Sequence, residues 1–162
     1  FEQSELPSLV LLTRQGLPVL DRNVYPSPEE FRKGAYIISD YSKGDSDISI
    51  FASGSEVSLA LEVKDALKNL FNIRVVNFGC WELFDMQSEN YKNNIIHDSS
   101  FKVSIEAGIT QGWEKYTGND RSKALNIGIN RFGESASGKE VADFFGLNVE
   151  TIKEKIVKAF NR

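Results

Sequence analysis

The sequence predicts an α/β fold with a doubly wound, mostly parallel sheet of about five strands and helices on both faces. Strand-like apolar runs and helical segments alternate four times between Ile48 and Phe145. That alternation predicts parallel strands, because a crossover helix returns the chain to the edge of the sheet from which each strand starts. Hydrophobic residues make up 41% of the 162 residues and aromatic residues 11%, which is enough for a sizeable core.

The regular pattern begins with two predicted strands, Ala35–Ser39 and Ile48–Ala52. The second strand leads through Ser53-Gly54-Ser55 into a helix that continues to about Leu70. Apolar side chains fall on one side of its helical wheel and polar side chains on the other, which is typical of a helix packed on a sheet. The apolar set is Leu59, Ala60, Val63, Ala66, Leu67, Leu70 and Phe71.

Later segments continue the same alternation. Strands are predicted at residues 73–78, 101–105 and 125–129, and helices at residues 88–96, 110–116 and 139–145. Gly146 ends the last of these, and a final helix carries Val149, Ile152, Ile156 and Phe160 at helical spacing. In doubly wound sheets, ligands bind beyond the carboxyl ends of the strands. The loops where a ligand is expected are therefore residues 53–56, 78–83, 106–111 and 130–138.

The N-terminal region has a different character. Residues 9–13 are predicted to form a short buried strand, and the periodic pattern disappears over residues 16–34. Pro18, Pro26 and Pro28 fall in this stretch, which is typical of a linker because proline disfavours both helices and sheets. The chain starts at Phe1 without an initiator methionine, and a buried strand follows almost at once. We therefore expect one domain with a short piece of a neighbouring domain, taken from a longer protein.

Composition excludes several classes of function. A net charge of −4 and a pI near 5.1 argue against nucleic-acid binding, which needs a basic surface. No apolar run is long enough to cross a bilayer, so no membrane partner is expected. Cys80 is the only cysteine, which rules out an internal disulfide and a thiolate metal cage. These features favour a reduced, cytoplasmic setting.

Hydrolase chemistry lacks the residues that it needs. His97 is the only histidine, and it lies at the end of a polar predicted helix, where it is interpreted as a C-terminal residue facing the helix dipole. A catalytic serine would need an exposed G-x-S-x-G turn. The nearest stretch, Gly133-Glu134-Ser135-Ala136-Ser137, has serine in place of the last glycine. No catalytic residue is therefore predicted.

The stretch from Gly133 to Lys139 satisfies the phosphate-loop pattern G-x-x-x-x-G-K. The next position should carry serine or threonine to hold magnesium, but Glu140 stands there and would repel a phosphate. Ser137 and Glu140 also fit the S-x-x-E capping box, in which side chains satisfy the free backbone N–H groups at a helix start. The sequence favours a cap over a nucleotide site.

Other candidate residues also have structural interpretations. Ser53 and Glu56 form a second S-x-x-E pair, so we expect a capping box there rather than an anion site. Cys80 has no histidine near it in sequence, and a packing or interface role is predicted. Trp113 and Tyr116 are expected in the core, although with Phe132 they could instead form an interaction surface.

Arg14 is the one candidate binding residue. It follows the predicted strand at residues 9–13 and should project where the linker begins. A guanidinium group in that position can hold a phosphate through two hydrogen bonds. From the residues alone, a salt bridge across the domain junction is the stronger interpretation.

Five segments, in the same order and at similar spacing, resemble motifs of the transketolase family. They are Thr13-Arg14-Gln15-Gly16-Leu17 (S/T-R-Q-x-L), residues 51–57 (A-T-G-S-E-V), residues 84–91 (F-D-x-Q-x-x-x-Y), residues 104–108 with Trp113, Tyr116 and Gly118 (V-E-A-G and W-x-x-Y-x-G), and residues 132–136 (F-G-E-S-A-P). One departure stands out, since Ser137 occupies the position of the family's proline. The chain resembles the C-terminal domain of a transketolase.

This resemblance implies a transferase that moves a two-carbon ketol unit between sugar phosphates in the pentose phosphate pathway. The family uses thiamine diphosphate and a divalent metal, magnesium or calcium, bound between two earlier domains of a homodimer. The cofactor-binding, metal-binding and catalytic residues would therefore precede Phe1, leaving none in this chain. Arg14 matches the family's arginine that binds the sugar phosphate, so the resemblance favours a substrate contact for Arg14 over a junction salt bridge.

The resemblance divides the chain in two. Residues 1–33 are expected to be the end of the preceding thiamine-pyrimidine domain and the linker, and residues 34–162 the C-terminal domain. That domain would brace the dimer and the substrate channel, with the remainder of the chain and a second protomer as partners. Two alternatives stay open: the matching domain of deoxyxylulose-phosphate synthase or of a 2-oxoacid dehydrogenase β-subunit, and a regulatory domain that senses a nucleotide or metabolite.

Overall fold

The computed structural model describes residues 7–13, 15–41, 45–97 and 100–161. Its centre is a five-stranded sheet with the order β1-β3-β2-β4-β5. The strands are β1 (Ala35–Ser39), β2 (Ile48–Ala52), β3 (Ile73–Phe78), β4 (Phe101–Ile105) and β5 (Ala124–Ile127). Strands β3, β2, β4 and β5 run parallel, and β1 alone is antiparallel to its neighbour β3. The predicted fold class, an α/β protein with a mostly parallel sheet, is confirmed.

Six α-helices surround the sheet in the described part of the chain. They are α1 (Glu56–Leu67), α2 (Trp81–Asp85), α3 (Glu89–Ile96), α4 (Glu114–Thr117), α5 (Gly138–Phe145) and α6 (Val149–Phe160). Helices α1 and α6 contribute to one hydrophobic cluster on one face of the sheet, together with alternate residues of the strands. Helices α2, α3 and α4 contribute to a second, aromatic cluster on the other face of the sheet. It includes the residues of β2 and β3 that alternate with those of the first cluster. Both faces of the sheet are therefore covered, which explains why its central strands are buried throughout.

The direction of β1 determines where the chain reaches the sheet. Ala35, the first residue of β1, pairs with Phe78, the last residue of β3. Because β3 runs parallel to the other strands, the start of β1 lies at the carboxyl edge of the sheet. The N–H of Cys80 donates to the carbonyl of Gly34 (2.9 Å), which fixes the residues before β1 to the loop after β3.

Part of the predicted linker is ordered structure. Pro28–Lys33 forms a 3-10 helix, and the N–H of Glu29 donates to the Ser27 hydroxyl at its start. Proline suits the first position of such a helix because its missing N–H would have no partner there. Leu20, Tyr25 and Phe31 pack against the cluster under α1 and α6. The sequence identified the prolines but not this packing, because the apolar residues follow no helical or strand period.

The buried strand predicted at residues 9–13 is wrong for the structure described. These residues adopt no regular secondary structure. Leu9, Leu11 and Leu12 are 84%, 84% and 85% exposed, and Val10 is 51% exposed. A strand is stabilised by hydrogen bonds to a neighbouring strand, and no strand in the described part of the chain pairs with this segment. Its apolar pattern is that of a strand, but its partner is not among these residues.

Two helical segments differ from their prediction for a common reason. The helix predicted at residues 110–116 is only the short α4, and the sequence missed α2. Each carries aromatic side chains that contact the other, with ring centroids 5.3 Å apart for Trp81 and Trp113 and also for Trp81 and Tyr116. These short helices are stabilised by packing rather than by an amphipathic repeat, so periodicity could not define them.

Candidate functional site

The carboxyl edge of the sheet brings two of the predicted ligand loops into contact. Ser53 follows β2 and Glu106 follows β4, and these neighbouring strands pair Ala52 with Ile105 at their ends. The Ser53 hydroxyl donates to Oε2 of Glu106 over 2.9 Å. The sequence had not selected Glu106 as an individual residue, although it was the first residue of a predicted ligand loop.

The capping box predicted for Ser53 and Glu56 is wrong. Helix α1 begins after Ser55, and no side chain caps its N-terminus. Glu56 instead accepts a hydrogen bond from the Ser55 hydroxyl (2.7 Å), while Ser53 bonds to Glu106. The S-x-x-E pattern does not form here because tertiary structure brings a competing carboxylate to Ser53.

Glu106 is a half-buried carboxyl group with an altered acidity. Burial raises the pKa of Glu106 above its ordinary value. Hydrogen bonds from the Ser53 hydroxyl and the Ala107 backbone lower this pKa in part, while the nearby charge of Glu56 raises it further. A second negative charge at this position would be unfavourable, so this part of the edge does not suit an anionic ligand.

The loops after β4 and β5 are pressed together at the same edge. Both the N–H and the hydroxyl of Thr110 donate to Oδ1 of Asn130 over 3.0 Å, and the N–H of Ile129 donates to the Gly108 carbonyl over 2.7 Å. A Cβ atom on Gly128 would lie 2.6 Å from the Gly108 carbonyl oxygen. These two loops form a closed pair, with no gap between their backbones at Gly128.

The loop after β3 leads directly into α2. The Cys80 thiol is half-buried and lies 3.4 Å from Oε2 of Glu82. Trp113 and Tyr116 are 2% and 4% exposed, which confirms the prediction that they belong to the core. Phe132 is different, since it is 92% exposed.

The apparent phosphate loop is a helix cap. Ser137 and Glu140 form the predicted capping box at the start of α5, with the N–H of Ser137 donating to Glu140 and the N–H of Glu140 donating to the Ser137 hydroxyl. Lys139, which would contact phosphate in a nucleotide loop, instead donates to Asp143 over 2.6 Å. The groups that a phosphate would need are used within the helix, which removes the sequence motif on which the nucleotide-sensor alternative rested.

The two remaining predicted residues, His97 and Arg14, have different outcomes. His97 is the C-terminal cap of α3, at the helix end where the sequence placed it, and its backbone is left-handed. Arg14 lies outside the described residues, so its role stays a prediction. Among the described residues, no three histidine, cysteine or acidic side chains come together as metal ligands.

A cavity that no sequence motif indicated lies beside the edge strand β5. Its volume is about 400 Å³, and its lining includes Glu114, Arg121 and Asn126. Oδ1 of Asn126 accepts hydrogen bonds from the hydroxyls of Ser104 and Thr117. Opposite charges line the same cavity, so it shows no preference for one class of charged ligand.

A comparison with protein families agrees with the fold and the motifs. Residues 34–148 match the model of the transketolase-like C-terminal domain. The chain belongs to the transketolase C-terminal domain family. The match starts at the glycine before β1 and includes the carboxyl-edge loops described above.

Curated transketolases from distant organisms show the same relationship. The transketolase of Aquifex aeolicus is 42% identical over 94% of this chain, and the chloroplastic transketolase of Solanum tuberosum is 42% identical over 90%. The chain spans 22% and 19% of these two relatives, about a fifth of their length. Because one of these relatives is chloroplastic, the cytoplasmic location stays a prediction.

Solved transketolase structures share the fold. A transketolase structure from Pichia stipitis is 34% identical with a TM-score of 0.78, over 90% of this chain and 20% of that one. The transketolase from Leishmania mexicana is 37% identical with a TM-score of 0.70, over 78% of this chain and 18% of that one. Among the described residues, no helix combines the length and apolar character needed to cross a membrane.

Proposed function

We propose that this domain works as part of a whole transketolase, which transfers a two-carbon ketol unit between sugar phosphates in the pentose phosphate pathway. The observation that carries this proposal is the 42% identity to the Aquifex aeolicus transketolase over 94% of the chain. A structure of the Pichia stipitis transketolase in complex with sedoheptulose 7-phosphate is 34% identical to this chain. That complex supports a sugar phosphate as the substrate class.

The proposed role of the domain itself is to brace the homodimer and the substrate channel. Thiamine diphosphate and magnesium or calcium would bind elsewhere in the whole enzyme, as the family resemblance implies. Residues 1–33 would be the end of the preceding domain and the linker. The exposure of Leu9, Leu11 and Leu12 supports this division, because a strand-like apolar segment would be buried by pairing with strands of that domain.

Arg14 is the proposed contact of this chain with the substrate. Its position in the Thr13-Arg14-Gln15 motif supports a hydrogen-bonded clamp on the phosphate of the sugar. Such a contact lies far from the bonds that change, so it should act mainly on substrate binding. Arginine suits this role better than lysine because its planar group can donate two parallel hydrogen bonds to phosphate.

Substitution of Arg14 in the full-length enzyme tests this role. We expect Arg14→Ala to raise KM for xylulose 5-phosphate about 10- to 100-fold, as the loss of a charge-assisted hydrogen bond predicts, and to change kcat much less. Arg14→Lys should recover only part of the loss. Arg121→Ala is the matched control, because Arg121 precedes β5 at the opposite edge of the sheet. An unchanged KM in Arg14→Ala would remove Arg14 from the binding site without affecting the assignment of the domain.

A further inference from the structure

The linker reaches the sheet at its carboxyl edge. Strand β1 starts at this edge because Ala35 pairs with Phe78. The residue before it, Gly34, has a φ of 80°, and a Cβ atom there would lie 2.3 Å from the Cys80 carbonyl oxygen. The residues before β1 are therefore held tightly against the loop after β3, so the linker joins the sheet at this edge.

Exposed apolar side chains gather at the same edge. Phe132 follows β5 and is 92% exposed, and Ile109 follows β4 and is 60% exposed. Because the two loops that carry them are hydrogen-bonded to each other through Thr110 and Asn130, these side chains are candidates for one contact surface. Many of the other large exposed hydrophobic residues belong to the N-terminal segment, namely Leu9, Val10, Leu11, Leu12, Leu17, Val19 and Val24.

The loops that carry Ile109 and Phe132 are joined by hydrogen bonds and close backbone packing. Thr110, next to Ile109, donates both of its hydrogen bonds to Asn130, two residues before Phe132. The bond from Ile129 to Gly108 and the close packing of Gly128 join the two backbones further. We call Ile109, Thr110, Asn130 and Phe132 the edge platform. A surface that is fixed before binding loses little conformational entropy when a partner covers it.

We propose that the edge platform is the surface on which this domain docks against the domain that precedes it in a transketolase chain; this inference rests on the proposed function. The chain spans about a fifth of its relatives, and its family model is that of a C-terminal domain, so the rest of those relatives precedes it. The occupant is therefore an apolar face of the preceding domain, joined through the linker that reaches the sheet at this edge. In a fold of this class ligands usually bind at this edge, but here the loops after β4 and β5 are closed on each other.

The test introduces one charge on the platform in two settings. Phe132→Asp should leave the melting temperature of the 162-residue chain unchanged, because the side chain is exposed there. In the full-length enzyme the same change should lower the melting temperature by about 3 °C or more, since a buried charge would oppose docking. Leu70→Asp is the matched control: Leu70 is 65% exposed at the opposite edge, before β3, and should be neutral in both settings.

Three outcomes would contradict the proposal. If Phe132→Asp leaves the melting temperature of the full-length enzyme unchanged, the platform has no docking role. If it lowers the melting temperature of the short chain equally, Phe132 stabilises the domain itself. If the short chain sediments as a dimer that Phe132→Asp dissociates, the occupant is a second copy of this domain. Failure of the proposed function is seen separately, as an absence of ketol transfer by the unmodified full-length enzyme, because melting temperature does not depend on turnover.

Discussion

The carboxyl group of Glu106 shows how a single residue depends on its surroundings. It lies half-buried after β4, accepts a hydrogen bond from Ser53 and is repelled by Glu56. Burial is the largest effect, so the pKa of Glu106 is raised and the ionised form is disfavoured in the folded chain. A carboxyl group with a raised pKa contributes its full stabilisation below its unfolded pKa and loses that stabilisation as pH rises through the folded value.

Glu106→Gln should therefore change the pH dependence of stability. Glutamine keeps an oxygen that accepts the Ser53 hydroxyl but cannot ionise. We expect the variant and the wild type to melt alike near about pH 4 and the variant to melt about 1–3 °C higher near about pH 7.5. Thermal unfolding followed by circular dichroism measures both values.

The matched control is Glu62→Gln, an exposed position on α1. It should show no such divergence between acid and neutral pH. A Glu106→Gln variant that is less stable than the wild type at neutral pH would mean that the ionised carboxylate stabilises the edge through its hydrogen bonds.

At the scale of an element, α5 depends on its cap. Ser137 and Glu140 bond each other's backbone, and none of the eight residues of the helix is buried. The backbone of Ser137 has a φ of −62°, a value that proline also adopts. Serine and the family's proline can therefore both begin this helix, one through hydrogen bonds and the other through a fixed backbone.

Ser137→Ala should destabilise α5 locally by about 1 kcal/mol, the usual effect of losing a serine cap. Because α5 contributes no fully buried side chain, the melting temperature of the whole domain should change little. Hydrogen exchange of the α5 amides, compared with those of α6, measures the local effect. Ser135→Ala in the preceding exposed loop is the control, and equal exchange in the two variants would show that the cap does not stabilise the helix.

At the scale of the whole molecule, both faces of the sheet are covered by helices, whereas the apolar side chains of the chain's N-terminal segment are exposed. The two hydrophobic clusters give residues 35–160 a core of their own. The aliphatic side chains of Leu9, Leu11 and Leu12 remain exposed. This combination agrees with the proposed division of the chain into a C-terminal domain and an N-terminal segment that belongs with the preceding domain and the linker.

The 162-residue chain is therefore expected to fold but not to transfer ketol groups. With thiamine diphosphate, magnesium, xylulose 5-phosphate and a second sugar phosphate, its turnover should be undetectable, whereas the full-length enzyme should react under the same conditions. The reason is that the chain spans only about a fifth of its transketolase relatives, and the family resemblance implies that the cofactor-binding and catalytic residues precede it. Measurable turnover by the short chain would overturn this prediction.

The sequence alone determined those features that depend on neighbours along the chain. Strands β3 and β4 were predicted to their ends, since apolar residues at the strand period mark them between polar turns. The cap of α5 was predicted because its two partners lie only three residues apart. The parallel arrangement of β2 to β5 followed from the alternation of strands and helices.

Tertiary structure decided the features that depend on partners distant in sequence. Ser53 fits a local capping box but bonds to Glu106, 53 residues further along the chain. Residues 9–13 have the composition of a strand, yet their burial depends on a neighbouring strand that the described residues do not supply. Local patterns specify which conformations a segment favours, whereas the packing of separate segments determines which hydrogen bonds and apolar contacts form.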